Sequence, residues 1–425
     1  MRRLKLLDGM RGYFLVFMLL NHIIFTGGLF LQKINHGELG FVQDAQGFVF
    51  MSGLILGLTY TKAALRGGLE GLFPKAMSRV QELYGYHMTL LLGLFAVALA
   101  VPATEAFWGD LFAEFYRAPE ATIVGAGLLT YQPTFMDILP QYMLYILAAP
   151  FLVRWVLAGR GLEVALGSAL LWFVAQTGLH LPLIDGIEAL VTPLLPGFRL
   201  RSAFNPLGWQ LVFNAGLLIG VAYARTPRVL EPFFRPDDRR ALNASAALLA
   251  FFLVLKLGLT FGFIPGDMQQ RIFAALDRPT FGLVYLVNFV AFAYAVTWLI
   301  RCGAASGRPV ATALGRGLNG LFTFRPLVFL GQHSLQVYAY HVGLVYLLMV
   351  VDWAYGPFDG FTKTGIALAA IASLGIPATL HARTVRAAKR PPVAAGTAAR
   401  PAPEPQPMVA YARAPARRSI SRMES

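Results

Sequence analysis

Apolar residues in this chain gather in long blocks separated by short polar and basic stretches. A helix that crosses the hydrocarbon core of a bilayer takes about 20 mostly apolar residues. Ten stretches have that character: 12–31, 45–63, 84–103, 135–156, 162–181, 206–224, 241–262, 281–300, 330–351 and 364–382. The first is too long for the apolar run of a cleaved leader, and no small-residue cleavage site precedes the second. The pattern predicts an all-α integral membrane protein, a bundle of about ten transmembrane helices. Between the third and fourth stretches lies the longest loop, 104–134, with Trp108, Phe112, Phe115 and Tyr116. It reads as an interfacial helix lying on the membrane, in preference to a lid.

Basic residues orient the bundle. With the N-terminus placed inside, 28 of the 36 Lys and Arg fall on the inner face and seven on the outer, with Lys256 inside a stretch. Such a bias is the positive-inside signature, so both termini are expected in the cytoplasm. Lys256 has little freedom to snorkel and is expected to face the bundle. Residues 1–385 form the expected transmembrane domain. Residues 386–425, basic and rich in Pro and Ala, read as a disordered cytoplasmic tail.

Composition narrows the classes further. The chain has 425 residues, 56% hydrophobic and 14% charged, against roughly 45–50% and about 25% in soluble domains. A net charge of +14 would suit a nucleic-acid binder, but its confinement to one face assigns it to topology, and no nucleic acid is expected as a partner. The single cysteine, Cys302, excludes an intrachain disulfide framework and a cysteine-based zinc site. No metal is expected.

Ionisable residues within apolar stretches are costly and become functional candidates. Arg11 and His22 lie eleven residues apart in the first stretch, roughly 16 Å of helical rise and nearly the same azimuth. Arg11 falls towards the cytoplasmic end; Asn21 and His22 fall near the midplane. An anionic ligand held by Arg11 would reach His22 with its far end. A packing histidine and a snorkelling arginine account for the same residues. In the ninth stretch Ser334, Tyr338 and His341 share one helical face, suited either to function or to a hydrogen-bond ladder, and His333 lies at its cytoplasmic end. Arg79, Tyr84 and His87 open the third stretch, where Arg79 is either an anion ligand or a topological anchor. At the outer mouth stand Gln43, Asp44, Gln46, Asp137, Gln141, Asn205, Trp209 and Gln210. Amides, carboxylates and an indole suit a sugar, although helix capping explains Asp44 equally. Gly53 and the other glycines of the second stretch read as close helix packing. Phosphate-loop, zincin and nucleophile-elbow motifs are absent from the sequence.

Read in order, Asp8-x2-Arg11-Gly12 with Asn21-His22, Gly47 to Gly53, Arg79-x4-Tyr84-x2-His87, Phe135-Met136-Asp137, Phe204-Asn205-Pro206-x2-Trp209-Gln210 and Leu330-Gly331-x-His333-Ser334 with Tyr338 and His341 resemble the OpgC branch of the membrane acyltransferase-3 superfamily. Met51 and Gln332 depart from residues common in that branch. The resemblance implies a multi-pass bacterial inner-membrane enzyme that transfers a succinyl group from cytosolic succinyl-CoA to hydroxyls of periplasmic glucans. It binds no permanent cofactor; the acyl donor is a co-substrate. On this reading His22, with Asn21, His341 and Tyr338, is catalytic; Arg11, Arg79, His87 and His333 face the acyl-CoA; and Asp137, Asn205, Trp209 and Gln210 face the glucan. An O-acetyltransferase of another envelope polysaccharide and an oligosaccharide transporter or flippase are the alternatives.

Overall fold

A computed structural model describes residues 5–200 and 204–388. Arg201 and the expected tail from 389 onward lie outside the described residues. Residues up to Ala382 form one compact unit, and a second begins at Arg383. Among the described residues regular structure is entirely helical. The long helices are α1 (Lys5–His22), α2 (Asp44–Gly67), α3 (Leu72–Ala100), α4 (Ile138–Leu157), α5 (Gly161–Thr177), α6 (Leu181–Val191), α7 (Pro206–Arg225), α8 (Arg240–Thr260), α9 (Leu283–Cys302), α10 (Pro309–Thr323), α11 (Arg325–Gln332), α12 (Ser334–Tyr355), α13 (Gly360–Ser373) and α14 (Gly375–Ala388).

Each of the ten apolar stretches falls on helix, yet the number of crossings supported by length and composition is eight, or nine if the bent pair α5–α6 counts as one. That pair turns by 70° where Gly178 takes a left-handed conformation, φ 70°. The ninth stretch is interrupted at His333, between α11 and α12. α1 is not among these crossings, being less apolar because Lys5, Asp8 and Arg11 occupy its first two turns. The surface of the long helices is apolar. α8 has only 11% of its most apolar segment buried and exposes Phe251, Val254 and Leu257. Apolar area turned outwards on this scale requires lipid or another apolar partner.

The first stretch ends earlier than its hydropathy predicts. Helix stops at His22, which is therefore the last residue of α1. The reason is local: the Gln32 amide folds back to donate to the carbonyls of Leu20 and Ile23 at 2.9 and 2.7 Å, satisfying carbonyls left open at a helix end. Gly27 and Gly28 then take φ near +80°, and the turn is tied down by Thr26. Its backbone N–H and hydroxyl both donate to Asp352 Oδ2 at 2.8 Å.

Glycines set the helix spacing. A Cβ on Gly53 or Gly57 would lie 2.0 or 2.3 Å from carbonyl oxygens of α7, and one on Gly216 or Gly220 would lie 2.2 or 2.3 Å from carbonyl oxygens of α2. The two Gly-x3-Gly faces therefore interlock, the small-residue contact expected of membrane helices. α1 packs on α11 in the same way through Gly12 and Gly331, and on Phe322 near the end of α10 through Gly9.

The 104–134 segment does not form an interfacial helix. It breaks into the short helices Glu105–Trp108, Ala113–Arg117 and Pro119–Gly127, and Trp108, Phe112 and Phe115 are buried. Phe115 stacks on Phe95 of α3 at 4.1 Å, Phe112 on Tyr346 of α12 at 5.1 Å, and the Trp108 indole donates to the Tyr346 carbonyl. Burying three aromatics against two helices outweighs laying them on a headgroup surface.

Gly53→Leu should force α2 and α7 apart, because backbone carbonyls cannot yield to a side chain. The expected outcome is a fall in the detergent-solubilised protein's thermal midpoint equivalent to at least about 2 kcal/mol, whereas Gly167→Leu, with open space at its Cβ position, leaves the midpoint within about 2 °C.

Candidate active site

A cavity of about 690 Å³ lies where helix ends converge, lined among others by Asn21, His22, Asp44, Asp137, Lys256 and Arg278. The end of α1 supplies the first pair, the starts of α2 and α4 the two carboxylates, α8 the lysine and the loop before α9 the arginine. Loop residues 35–43 and 132–135 fill the remaining wall.

His22 Nδ1 lies 3.2 Å from Nε2 of His341, and its ring stacks on Phe135 at 4.2 Å. Phe135 has φ 72°, a conformation costly for a bulky residue. It is held by the Tyr338 hydroxyl, which donates to its carbonyl at 2.8 Å, while Tyr346 binds the Thr134 carbonyl at 2.9 Å. Tyr338 thus positions the residue that backs His22, and its proton is committed. His341 is fully buried.

Asn21 donates to Asp44 Oδ2 at 2.5 Å and accepts from Asn35 at 3.2 Å. Asp44 is therefore a cavity carboxylate, not the cap of α2; the start of α2 is closed by Gln46, which accepts the Gln43 N–H at 3.2 Å. His36 approaches Asp44 Oδ1 at 3.7 Å, beyond hydrogen-bond reach, and its Nδ1 pairs with the Tyr13 hydroxyl at 3.1 Å. Burial in the outer loop pushes the His36 imidazole down to about 4. Asp137 is buried at the start of α4. Lys256 faces the bundle as expected, with Gly37 O at 2.6 Å and Glu38 at 3.3 Å.

The remaining candidates lie elsewhere. Arg11 donates to Ser334 Oγ and sits over the Phe48 ring at 5.7 Å, tying α1 to α12 away from the cavity lining. Arg79 pairs with Glu82 on α3 at 2.5 Å, and His333 with His381 at 2.8 Å. His87 is fully buried with neither ring nitrogen hydrogen-bonded and does not line the cavity.

Three residues expected to face a sugar are engaged by the protein instead. Asn205 caps α7 through the N–H groups of Leu207 and Gly208, and its amide pairs with His180 at 2.8 Å. The Trp209 indole, fully buried, donates to the carbonyls of Arg278 and Pro279 at 3.2 and 3.1 Å. Gln210 bonds Ser168, Asn214 and Leu207. Their polar groups position α5, α7 and the 277–281 loop; none of the three lines the cavity.

Residues 2–386 match the family described as OpgC protein. The chain belongs to the OpgC family. Membership suggests an acyltransferase-type enzyme that modifies glucan. Neither the curated proteins nor the solved structures contain a match.

Sequence reasoning passed over His36, Asn35, Gln132 and Arg278. Asn35, Gln132 and Arg278 line the cavity from loops, where no periodicity marks the cavity side, and by sequence Arg278 counts only as an outer-face charge; His36 opens the short 3-10 turn His36–Leu39 and is not among the lining residues. The pH response of His36 follows from its burial. Its ordinary value is 6.5 and its folded value about 4, so the unfolded chain takes up the proton first. Stability should fall as pH drops from 6.5 towards 4, by up to about 3 kcal/mol, and level off below. Thermal midpoints of His36→Gln measured across this window should show a shallower slope.

Proposed function

We propose that this OpgC-family protein is a membrane-embedded O-acyltransferase that moves a succinyl group from cytosolic succinyl-CoA to a hydroxyl of a periplasmic glucan. The observation that carries the reading is the His22–His341 pair at the wall of a polar cavity large enough for a sugar ring. With the basic ends of the bundle in the cytoplasm of the inner membrane, that cavity opens outwards and Arg11 and Arg79 face the donor side.

Tautomers decide what His22 can do. The tautomer of His341 that serves this role carries its proton on Nδ1, which is buried and makes no hydrogen bond. Its Nε2 then accepts from His22 Nδ1–H, which places the His22 lone pair on Nε2. A neutral imidazole so oriented suits general-base work. Nε2 takes the proton of the glucan hydroxyl as its oxygen attacks the thioester carbonyl. The tetrahedral intermediate collapses with cleavage of the C–S bond, and His22 returns the proton to the departing CoA thiolate. Asp137 and the Asn21–Asp44 pair supply acceptors for sugar hydroxyls, and Phe135 holds the base. Arg79, at the accessible start of α3, is suited to CoA phosphates; Arg11, engaged with Ser334, contributes more to joining α1 and α12.

The test is acyl-CoA-dependent modification of neutral glucan by the detergent-purified protein, read as new anionic glucan on anion exchange. His22→Ala should abolish it, and His341→Ala should lower kcat by about a hundredfold while the protein stays folded. Retained turnover in His22→Ala overturns the role of the base. A transporter would modify nothing in detergent with or without His22, and an acetyltransferase would form a neutral ester from acetyl-CoA.

A further inference from the structure

Arg278 stands at the cavity wall on a loop whose backbone carbonyls are bonded by the surrounding helices. The 277–281 segment has no regular structure, yet its carbonyls are held one after another. The Trp209 indole donates to those of Arg278 and Pro279, and the Asn205 backbone N–H also binds Pro279 O, at 2.7 Å. Gln176 donates to Thr280 O at 2.7 Å and the Trp172 indole to Phe281 O at 2.8 Å. From within the loop, the Thr280 hydroxyl donates to Asp277 at 2.6 Å. Gly208 makes the contact possible, since a Cβ there would lie 2.1 Å from Thr280 O. Phe281 is fully buried at φ 57°, an outlier that the surrounding bonds must impose.

What this platform presents is one guanidinium. The Arg278 side chain is exposed to the cavity and lies over the Phe204 ring at 5.0 Å. Among the described residues it has no ion pair and no side-chain hydrogen bond. Its charge is felt at His22, Asp44 and Asp137 across the cavity, but both carboxylates stay beyond ion-pair range. A planar cation stacked on an aromatic and held on a fixed backbone keeps its donor edges ready for a two-oxygen acceptor.

We propose that Arg278 binds a carboxylate brought into the cavity by a dicarboxylic half-ester or half-thioester, with the carbonyl to be attacked at His22 and the distal carboxylate on the guanidinium. This rests on the acyltransferase reading above and adds to it the group that selects a dicarboxylic acyl chain. The carboxylate has two sources: the acyl chain of the donor, or a half-ester already carried by the acceptor glucan.

Purified protein is assayed with succinyl-CoA and with butyryl-CoA, its uncharged counterpart, on neutral glucan and on glucan already bearing succinyl half-esters. Arg278→Gln should lower kcat/KM for succinyl-CoA by at least about thirtyfold while that for butyryl-CoA changes less than about threefold, and Arg278→Lys should recover part of the loss. A loss that follows the succinylated acceptor with either donor assigns the carboxylate to the glucan. Equal losses for every combination, or none, overturn the proposal. Binding is read separately from turnover: monomethyl succinate should raise the thermal midpoint of the unsubstituted protein and not of Arg278→Gln, and methyl butyrate should raise neither. Absence of that difference overturns the carboxylate site. An unsubstituted protein that transfers no acyl group but shows the difference overturns the acyltransferase reading and leaves Arg278 as a carboxylate site.

Discussion

The pairing of α1 with α12 is the contact on which the rest of this structure depends. The helices run in the same direction, and α1 with the turn that follows it meets α12 at three polar points: Arg11 with Ser334, His22 with His341, and Thr26 with Asp352. In an apolar surrounding, polar groups with no partner are expensive, so each point fixes the two helices along and around their axes. Gly12 and Gly331 allow α11 to lie against α1 at backbone distance, which brings the start of α12 alongside Arg11. The histidine pair is therefore a product of the seam, and a shift of either helix by one residue would part it.

Around that seam the cavity is built from helix ends and not from helix faces. α1 finishes where α2 and α4 begin, and the loops between them close the wall. Such a junction has polar backbone groups in plenty and can accept an irregular chain only because side chains satisfy it: Gln32 for the end of α1, Tyr338 and Tyr346 for residues 134–135, Trp209, Trp172 and Gln176 for residues 277–281. Aromatic hydroxyls and indoles suit this work, since they bury a large apolar body and deliver one donor. The Asn205-Pro206-Leu207-Gly208-Trp209 run combines a cap, a close approach and an indole donor in five residues. All serve the loop that carries Arg278.

Much of this was legible beforehand. Block hydropathy located the apolar helices but neither α6 nor α10 (Pro309–Thr323), which lie between the apolar blocks, and the glycines of α2 announced a tight helix contact that the interlock with α7 fulfils. The eleven-residue interval between Arg11 and His22 survives because both lie within one unbroken helix. The interval said nothing of where that helix ends: apolar residues continue past His22, yet the chain leaves the helix there and the returning Gln32 amide takes up the carbonyls of Leu20 and Ile23. Aromatics of 104–134 suggested a membrane surface because amphipathic composition is the same whether the apolar side meets lipid or Phe95 and Tyr346. Trp209 and Gln210 looked like ligand residues for a related reason, since a buried amide or indole needs a partner and the sequence does not say whether that partner is a sugar or a backbone carbonyl.

By itself the sequence determined the class of the molecule and the positions of its long apolar helices, because the cost of exposing peptide groups to hydrocarbon leaves little choice but helix for long apolar blocks. Order along the chain also revealed the residues that mark the OpgC family. Tertiary structure decided which polar side chains face a shared space and which are spent on holding the protein together. That choice depends on azimuth, helix termination and loop path, each set by contacts between residues hundreds of positions apart, such as His22 with His341. Arg278 shows the division most plainly: in the sequence it is one of seven outer charges, and only the fold gives it an aromatic to lie on, a fixed backbone and a cavity to face.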